Sequence, residues 1–434
     1  MKLINYILSL ASVCVLFACG NEDTPGTVLP PVVEPDAALS LLVNTGEKAP
    51  LKALTKADSR DFSVDDNRIA RLTVAVFNAG AYEGHDTDAL EAIKTETAAD
   101  GLSISKVEDI EVKSGPVKVL ILANVPENVL SEFKTVSEGN GAFSTINDFL
   151  GSKAKTTSLE KEINVTASSE LYVITAQRGM VNLLGYTKTE VEEVTNGVSV
   201  SPFALGEKAI PLYRNISRVL LNKIIFTPKS EYIDASLELE GVYVANVKSK
   251  SYLASETEGR GSAEVADMDD KDFYWCGAFA GADEIGALKE GEAKEEARLF
   301  YAPEMTFDKK NIVLEGEDGA PIGKPFYVYQ NQNGKNHTLL IVYGIFKYKL
   351  NEGDTDYQTQ RSFYTVIVNE PGKGSFESDS EKHEYVTRNF NYNIELTITG
   401  SGSTKPYDKA ISSNLSASVK VLPWNVKIIH EDVE

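Results

Sequence analysis

The sequence contains few cysteines. Three occur in 434 residues, and two of them, Cys14 and Cys19, lie in the apolar N-terminal segment. Only Cys276 lies in the body of the chain, so we expect no internal disulfide and a fold that depends on a large hydrophobic core. Cys276 follows Phe273-Tyr274-Trp275, a context that favours a small buried apolar side chain over a nucleophile.

Sequence motifs of enzymes are also absent. The four histidines, His85, His337, His383 and His430, show none of the spacings of metal ligands. No Gly-x-Ser-x-Gly elbow occurs, and Gly400–Ser403 runs into Lys405-Pro406, which predicts a turn and not a phosphate-binding loop. The carboxylates of segment 289–296 lack an apolar surrounding and are interpreted as solvated surface. We therefore predict no enzymatic activity and no cofactor.

Basic residues are outnumbered by acidic ones. The chain has 43 Lys and Arg against 64 Asp and Glu, a formal net charge of −21. Phosphate binding needs basic patches, so nucleic acid is not expected as a partner. An acidic surface is typical of soluble secreted proteins.

The N-terminal segment indicates export. Lys2 precedes the apolar run Leu3–Phe17, which is shorter than the roughly 20 residues needed to span a bilayer. Ala18-Cys19 follows this run and resembles the lipobox of bacterial lipoproteins, in which Cys19 becomes the acylated (palmitate-carrying) N-terminus. Such lipids would anchor the precursor in the outer membrane; the alternative is an ordinary signal peptide that happens to contain a cysteine.

After the leader, the pattern is that of β-structure. A proline-bearing tether over 24–36 leads to a short strand over 37–43, which includes Leu39, Leu41 and Val43, and a polar loop follows over 47–60. Short helices are expected only over 88–97 and 144–149. Further strands are predicted over 72–78, 117–124, 171–175, 216–226, 237–240, 326–329, 338–348, 363–368, 392–399 and 415–421. Strands separated by turns, without crossover helices, favour two β-sandwiches.

Several ordered segments resemble the fimbrillin family of Bacteroidetes type V pili. They span nearly the whole chain: Arg60–Asp66, Ile69–Val74, Lys106–Ile110, Val119–Asn124, Arg218-Val219, Phe326–Val328, Ile341–Gly344, Arg388-Asn389, Tyr392–Gly400 and Val419–Trp424. The resemblance implies an all-β fold of two transthyretin-like β-sandwich domains in tandem with few short helices. The corresponding units are a signal peptide (1–18), a tether with a removable strand (19–60), an N-terminal sandwich (61–200) and a C-terminal sandwich (201–434).

The resemblance also implies maturation by proteolysis. The matching position is Arg60, after which a trypsin-like or Arg-specific protease would cut. Arg68 and Arg71 are chemical alternatives, but Arg71 lies in a predicted strand, where a protease cannot bind it.

Cleavage at Arg60 would release the strand over 37–43 from the edge of the N-terminal sandwich and leave an apolar groove with unpaired backbone groups. The predicted donor for this groove is the C-terminal tail of another subunit, with Leu415, Ala417, Val419 and Val421 on one face. Pro423 predicts a bend between two strand pieces, and Trp424 is either an anchoring aromatic or part of the core. A head-to-tail contact of this kind builds a filament.

The resulting expectation is a structural subunit of a surface fimbrium that supports adhesion. Its partners would be other fimbrial subunits and the maturation protease, and its location the cell outer membrane before cleavage and the extracellular fimbrium after it. Two alternatives stay open. The chain could be an uncut anchor or a tip subunit, or it could be a glycan-binding surface lipoprotein.

Overall fold

The computed structural model describes 24 strands and one short α-helix. It covers residues 35, 37–44, 69–78, 89–99, 104, 106–112, 117–125, 127–135, 144, 156–158, 174–176, 179–181, 211–214, 216–248, 250–252, 274–275, 300–301, 303, 305–316, 321–323, 325–334, 337–406, 414–423 and 426–429. None of the helices in these ranges has the length and apolar character needed to cross a membrane.

The elements follow one another along the chain with these bounds. The first group is β1 (Ala37–Asn44), β2 (Arg71–Asn78), β3 (Leu90–Thr97), β4 (Lys106–Val112), β5 (Val117–Ala123), α1 (Glu127–Leu130), β6 (Thr156–Ser158), β7 (Ile174–Ala176), β8 (Gly179–Val181) and β9 (Pro211–Arg214). The second group is β10 (Ile216–Phe226), β11 (Ile233–Ala245), β12 (Val247–Lys248), β13 (Lys250–Tyr252), β14 (Tyr274–Trp275), β15 (Phe300–Tyr301), β16 (Met305–Phe307), β17 (Val313–Glu315), β18 (Phe326–Tyr329), β19 (Leu339–Lys349), β20 (Gln358–Ile367), β21 (Gly374–Phe376), β22 (Phe390–Ile398), β23 (Leu415–Pro423) and β24 (Val426–Ile429).

Three large sheets contain most of these strands. A nine-stranded sheet has the order β3-β2-β5-β7-β9-β24-β1-β4, with β8 beside β5. A six-stranded sheet has the order β17-β10-β22-β23-β21, with β18 beside β10, and a five-stranded sheet has the order β15-β11-β19-β20, with β16 beside β11. The prediction of an all-β chain is therefore confirmed. Two strands that lie beyond residue 200, β9 and β24, belong to the first sheet.

In the nine-stranded sheet, β2 and β5 are buried on both faces, and the sheet curls over one of these faces. In β2, Val74 and Val76 point to one cluster, whereas Ala75 and Phe77 point to another that α1 helps to cover. This division follows the period of two in a strand. Leu39 of β1 joins the cluster of Val74 and Val76, although β1 and β2 are far apart in the strand order. The sheet must therefore fold back on itself.

The six- and five-stranded sheets share a second core. Side chains from β10 and β22 meet side chains from β11 and β19 in one buried cluster. Aromatic residues occupy one end of it, where the ring of Phe226 lies 5.6 Å from Phe307 and 6.2 Å from Phe346. The burial of large apolar side chains from both sheets is the main force that holds them together.

One local prediction was wrong. Segment 88–97 was expected to contain a short helix, but Leu90–Thr97 forms β3. The strand pairs along its length with β2, and the hydroxyls of Thr73 and Thr95 lie 2.8 Å apart across the pair. Pairing with the preceding strand outweighs the helix preference of Leu, Glu, Ala and Lys, since propensity is a weak signal by itself. Of segment 144–149, only residue 144 is described.

A buried hydrogen bond connects β9 of the nine-stranded sheet to the residue that precedes β22 of the six-stranded one. Arg214, the last residue of β9, donates its backbone N–H to Asn389 Oδ1 at 3.1 Å. Nearby, Arg218 Nε donates to Asn391 Oδ1 at 2.7 Å, and Arg388 is also buried. Arg218, Arg388 and Asn389 are among the residues that carry the family resemblance, so the structure brings separate matching segments together at this junction.

The exposed edge of β20 is partly covered by its own chain. Phe363 N donates to Ser403 O at 2.8 Å, and Ser403 N donates to Phe363 O at 3.0 Å. The hydroxyl of Tyr364 donates to Gly400 O at 3.0 Å. The segment 400–403, predicted as a turn, therefore runs along this edge. Such cover reduces unwanted strand pairing.

Gly344 of β19 provides a test of the C-terminal packing. A Cβ at this position would lie 2.1 Å from the backbone oxygen of Glu238 on β11. Gly344→Ala should therefore lower the free energy of unfolding by about 1–3 kcal/mol, because the backbone must shift. Gly353→Ala is the matched control, since a Cβ there meets nothing within 4 Å. Urea unfolding should show no more than about 0.5 kcal/mol of change for the control; equal effects would contradict the packing described.

Candidate strand-exchange site

The first strand of the chain lies between two other strands. β1 pairs antiparallel with β4, from Ala37 opposite Val112 to Leu42 opposite Lys106. On its other side, β1 pairs antiparallel with β24 over Leu42, Val43 and Asn44. The sequence predicted an edge position for this strand, whereas in the structure β4 forms the edge and β1 lies next to it.

The ladder between β1 and β4 contains a bulge. Leu39 is opposite Ile110 and Leu41 is opposite Val107, so Glu108 and Asp109 of β4 together face a single residue of β1. Asp109 has a φ of 53°, a left-handed conformation that Asp tolerates better than most residues. The bulge thus fixes the register between the two strands.

Lys94 holds this bulge from the opposite edge of the sheet. Its Nζ donates to the carbonyl oxygen of Glu108 at 2.5 Å, and the carbonyl of Asp109 lies 3.5 Å away. Lys94 belongs to β3, the other edge strand of the curled sheet. The ammonium group therefore adds a hydrogen bond to the backbone of β4 at the bulge. Local sequence patterns gave no indication of this role.

Leu39 is the apolar anchor of β1. Its side chain is fully buried and packs in the cluster of Val74, Val107 and Ile110. Leu41 and Val43, the other residues predicted for the removable strand, lie in the same strand and take part in its ladders. Removal of β1 would therefore take a core side chain away and leave β4 without this partner.

The predicted donor residues of the C-terminal tail belong to the six-stranded sheet. Leu415, Ala417, Val419 and Val421 lie in β23, which pairs with β22 along its whole length. Val419 and Val421 are buried in the second core, and Leu415 and Ala417 pack against it. β23 ends at Pro423 and the chain resumes in β24 of another sheet, which confirms the bend predicted there.

β24 is the part of the tail that reaches the site. It lies between β9 and β1, with Val426 opposite Leu212 on one side and Ile428 opposite Val43 on the other. The sequence pattern could not reveal this contact, because residues nearly 400 positions apart along the chain leave no local sign of their pairing.

Some predicted residues lie outside the described ranges. These are the lipidation residue Cys19, the cleavage residue Arg60, its alternative Arg68 and the tail residue Trp424. Arg71 is described and begins β2, as predicted. Its guanidinium donates to the carbonyl oxygen of Val125 at 3.1 Å.

The two described histidines have structural contacts. His383 Nε2 lies 2.8 Å from the hydroxyl oxygen of Tyr392, whose pKa is raised by burial. The ring of His337 stacks on Tyr385 at a centroid distance of 5.4 Å. His85, His430 and Cys276 lie outside the described residues. Within the described ranges, no three His, Cys, Asp or Glu residues converge on a metal-sized space.

Two family models match the chain. Residues 37–201 match the model described as major fimbrial subunit protein (FimA). Residues 261–424 match the model described as FimA4 pilin C-terminal domain. The first match begins at the first residue of β1, and the second ends one residue after β23.

Individual proteins are similar over almost the whole chain. The major fimbrium subunit FimA type-5 of Porphyromonas gingivalis is 26% identical over 460 residues, which cover 97% of this chain and 96% of that protein. Fim1C of Parabacteroides distasonis, a proposed fimbrium tip subunit, is 25% identical and covers 92% of this chain and 88% of its own. The solved structure of a proposed cell adhesion protein from Parabacteroides distasonis is 26% identical, covers 91% of this chain and 100% of its own, and superposes with a TM-score of 0.59.

Leu39 provides a test of the anchor. Leu39→Ala should lower the unfolding free energy of the uncut protein by about 2–5 kcal/mol, because it leaves a cavity in a closed core. Glu111→Ala, at an exposed position of β4, is the control and should change it by no more than about 0.5 kcal/mol. Thermal or urea unfolding measures both. A Leu39→Ala protein as stable as the control would show that β1 does not complete the core.

Proposed function

The chain belongs to the fimbrillin family of Bacteroidetes, and from this premise we propose that it is a structural subunit of a surface fimbrium that polymerises by exchange of a β-strand. The observation that carries the proposal is the position of β1, which is a separate early strand that completes both a sheet and a core. Proteins of this family have a structural role and not a catalytic one, and the proposal assigns no enzymatic activity to this chain.

β1 can be removed without cutting the chain inside any other described strand. It is linked to β2 only through residues 45–70, the stretch that contains Arg60. Cleavage after Arg60 by a trypsin-like or Arg-specific protease would therefore disconnect β1 from the folded body. Its departure exposes the backbone groups of β4 and the space of the Leu39 side chain, and an exposed edge with an apolar pocket favours strand addition.

β24 of a neighbouring subunit is the segment that best fits this space. Its sequence Val426-Lys427-Ile428-Ile429 repeats the order of apolar, polar, apolar and apolar residues found in Leu39-Ser40-Leu41-Leu42 of β1. In this register, Val426 would take the place of Leu39, and Trp424 and Asn425 would lie opposite the end of β4. Burying one large aliphatic side chain contributes about 1.5–3 kcal/mol, to which each ladder hydrogen bond adds about 1 kcal/mol.

β23 is less suited to leave its own subunit. Val419 and Val421 are buried in the second core, so donating β23 would open the six-stranded sheet. We therefore assign the donor role to the part of the tail after Pro423. β23, which contains Leu415, Ala417, Val419 and Val421, stays in its own subunit and anchors that part of the tail.

The finer architecture and the location belong to the same proposal. We infer two transthyretin-like sandwiches in tandem, with the boundary between Arg214 and Ile216 because β9 pairs within the first sheet. The precursor is lipidated at Cys19 and attached to the outer membrane until it is cut. The partners are other fimbrial subunits, and the mature protein lies in the extracellular fimbrium.

A tip position is the second candidate, because Fim1C is a proposed fimbrium tip subunit. A shaft subunit must both accept and donate a strand, whereas a subunit at an end of the fibre needs only one of these abilities. Immunogold labelling of fimbriae distinguishes the two, since a shaft subunit labels the whole length.

Arg60→Ala should prevent maturation, because it removes the basic side chain that the protease recognises. Cells that express this variant should carry full-length lipidated protein and no fibres of this subunit. The measurements are N-terminal sequencing of sheared surface protein and electron microscopy. Lys56→Ala, in the same polar stretch of the sequence, is the control and should leave a start at Asp61. Normal fibres of the Arg60→Ala protein would refute the cleavage step.

Val426→Lys/Ile428→Lys should abolish polymerisation of the cleaved protein, because charged side chains cannot enter the apolar space that β1 leaves. Lys427→Ala is the matched control within the same strand and should polymerise normally. Size-exclusion chromatography after cleavage measures both. If the doubly substituted protein forms fibres as the control does, the tail is not the donor.

A further inference from the structure

We propose that β1 also restrains the donor tail of its own subunit, so that one cleavage prepares both the accepting groove and the donating strand. This inference rests on the strand exchange proposed above and concerns its regulation. It comes from the position of β24, which in the uncut chain pairs directly with the strand that cleavage would remove.

β1 provides most of the pairing that holds β24. Three residue pairs join β24 to β1, namely Lys427 with Asn44, Ile428 with Val43 and Ile429 with Leu42. Only two pairs join β24 to β9, and one of them involves Pro211. Proline has no backbone N–H and cannot donate to a ladder. Without β1, β24 becomes an edge strand. Of its two paired residues on β9, only Leu212 has a backbone N–H that can donate to the ladder.

The described ladders give β24 no other anchor. Pro423 ends β23, so β24 does not continue a strand of the six-stranded sheet. Two residues, 424 and 425, link the two strands. A short strand held by so few pairs exchanges easily with an unpaired state. Loss of β1 therefore frees the tail as well as the groove.

This arrangement prevents assembly before cleavage, because it blocks both the acceptance and the donation of a strand. Before cleavage, the groove is filled by β1 and the tail is paired to β1, so an uncut subunit can neither accept nor donate. After cleavage, both restraints disappear together. A subunit thus becomes able to accept a strand and to donate one only after the same cleavage. Uncut precursors therefore cannot cap growing fibres.

The two restraints lie at different ends of β1 and can be separated by mutation. Ala37, Ala38 and Leu39 pair with β4, whereas Val43 and Asn44 pair with β24. Val43→Pro/Asn44→Pro removes backbone donors at the β24 end. Ala37→Pro/Ala38→Pro is the matched control, with the same change at the β4 end of the same strand.

Hydrogen exchange measured by mass spectrometry on the wild-type protein is the primary test. Tail peptides from residue 424 onward should exchange about tenfold or more faster in cleaved subunits that have lost β1 and are still monomeric than in the uncut protein. Equal exchange in the uncut protein and in the cleaved monomer would overturn the inference even if the cleaved protein later polymerises. Conversely, a freed tail in a protein that does not polymerise would support the inference and count against the proposed strand exchange.

The substituted precursors give the second test. Uncut Val43→Pro/Asn44→Pro protein should show fast tail exchange without cleavage. When this protein is mixed with cleaved wild-type subunits, it should shorten the fibres, because it donates a strand but cannot accept one. Uncut Ala37→Pro/Ala38→Pro protein should keep a protected tail and leave fibre length unchanged. Fibre lengths that are the same with both variants would contradict the proposed restraint.

Discussion

The pairing of β1 with β4 and β24 is the interaction on which the proposed assembly depends. β1 supplies Leu39 to the cluster of Val74 and Val76, completes the ladder of β4 and pairs with the last described strand of the chain. These contacts are ordinary ladder and packing contacts, yet one strand makes all of them. Because the chain connects β1 to β2 only through residues 45–70, which include Arg60, a single cut there would end them together.

The two cores have different consequences for assembly. The second core is closed by sheets whose strands are parts of one continuous segment, and the edge of β20 is covered by the pairing of Phe363 with Ser403. The cluster of Leu39, Val74 and Val76 depends in part on β1, the strand that the proposed cut would detach. In the proposed assembly, this contrast would confine strand exchange to the nine-stranded sheet, and a fibre built from one accepting site per subunit would grow in single file.

Much of the fold could be predicted from the sequence, because runs such as Val117–Ala123 and the alternating Leu415–Val421 have the period and composition of strands. The segment over 90–97 could not, since its residues favour a helix weakly and only pairing with β2 decides its conformation. The site was predictable in part. The early strand and the apolar tail are visible as patterns, and the bend follows from Pro423. The bulge at Asp109, the contact of Lys94 with the carbonyl of Glu108 and the pairing of β24 with β1 depend on residues that are distant in the chain.

In the proposed fibre, a neighbour's tail replaces β1. A cryo-electron microscopy map of native fimbriae would show this replacement. We predict no density for residues 37–44, and a strand from the adjacent subunit that runs antiparallel to β4 with Val426 in the place of Leu39. A fibre in which residues 37–44 still pair with β4 of their own subunit would contradict it.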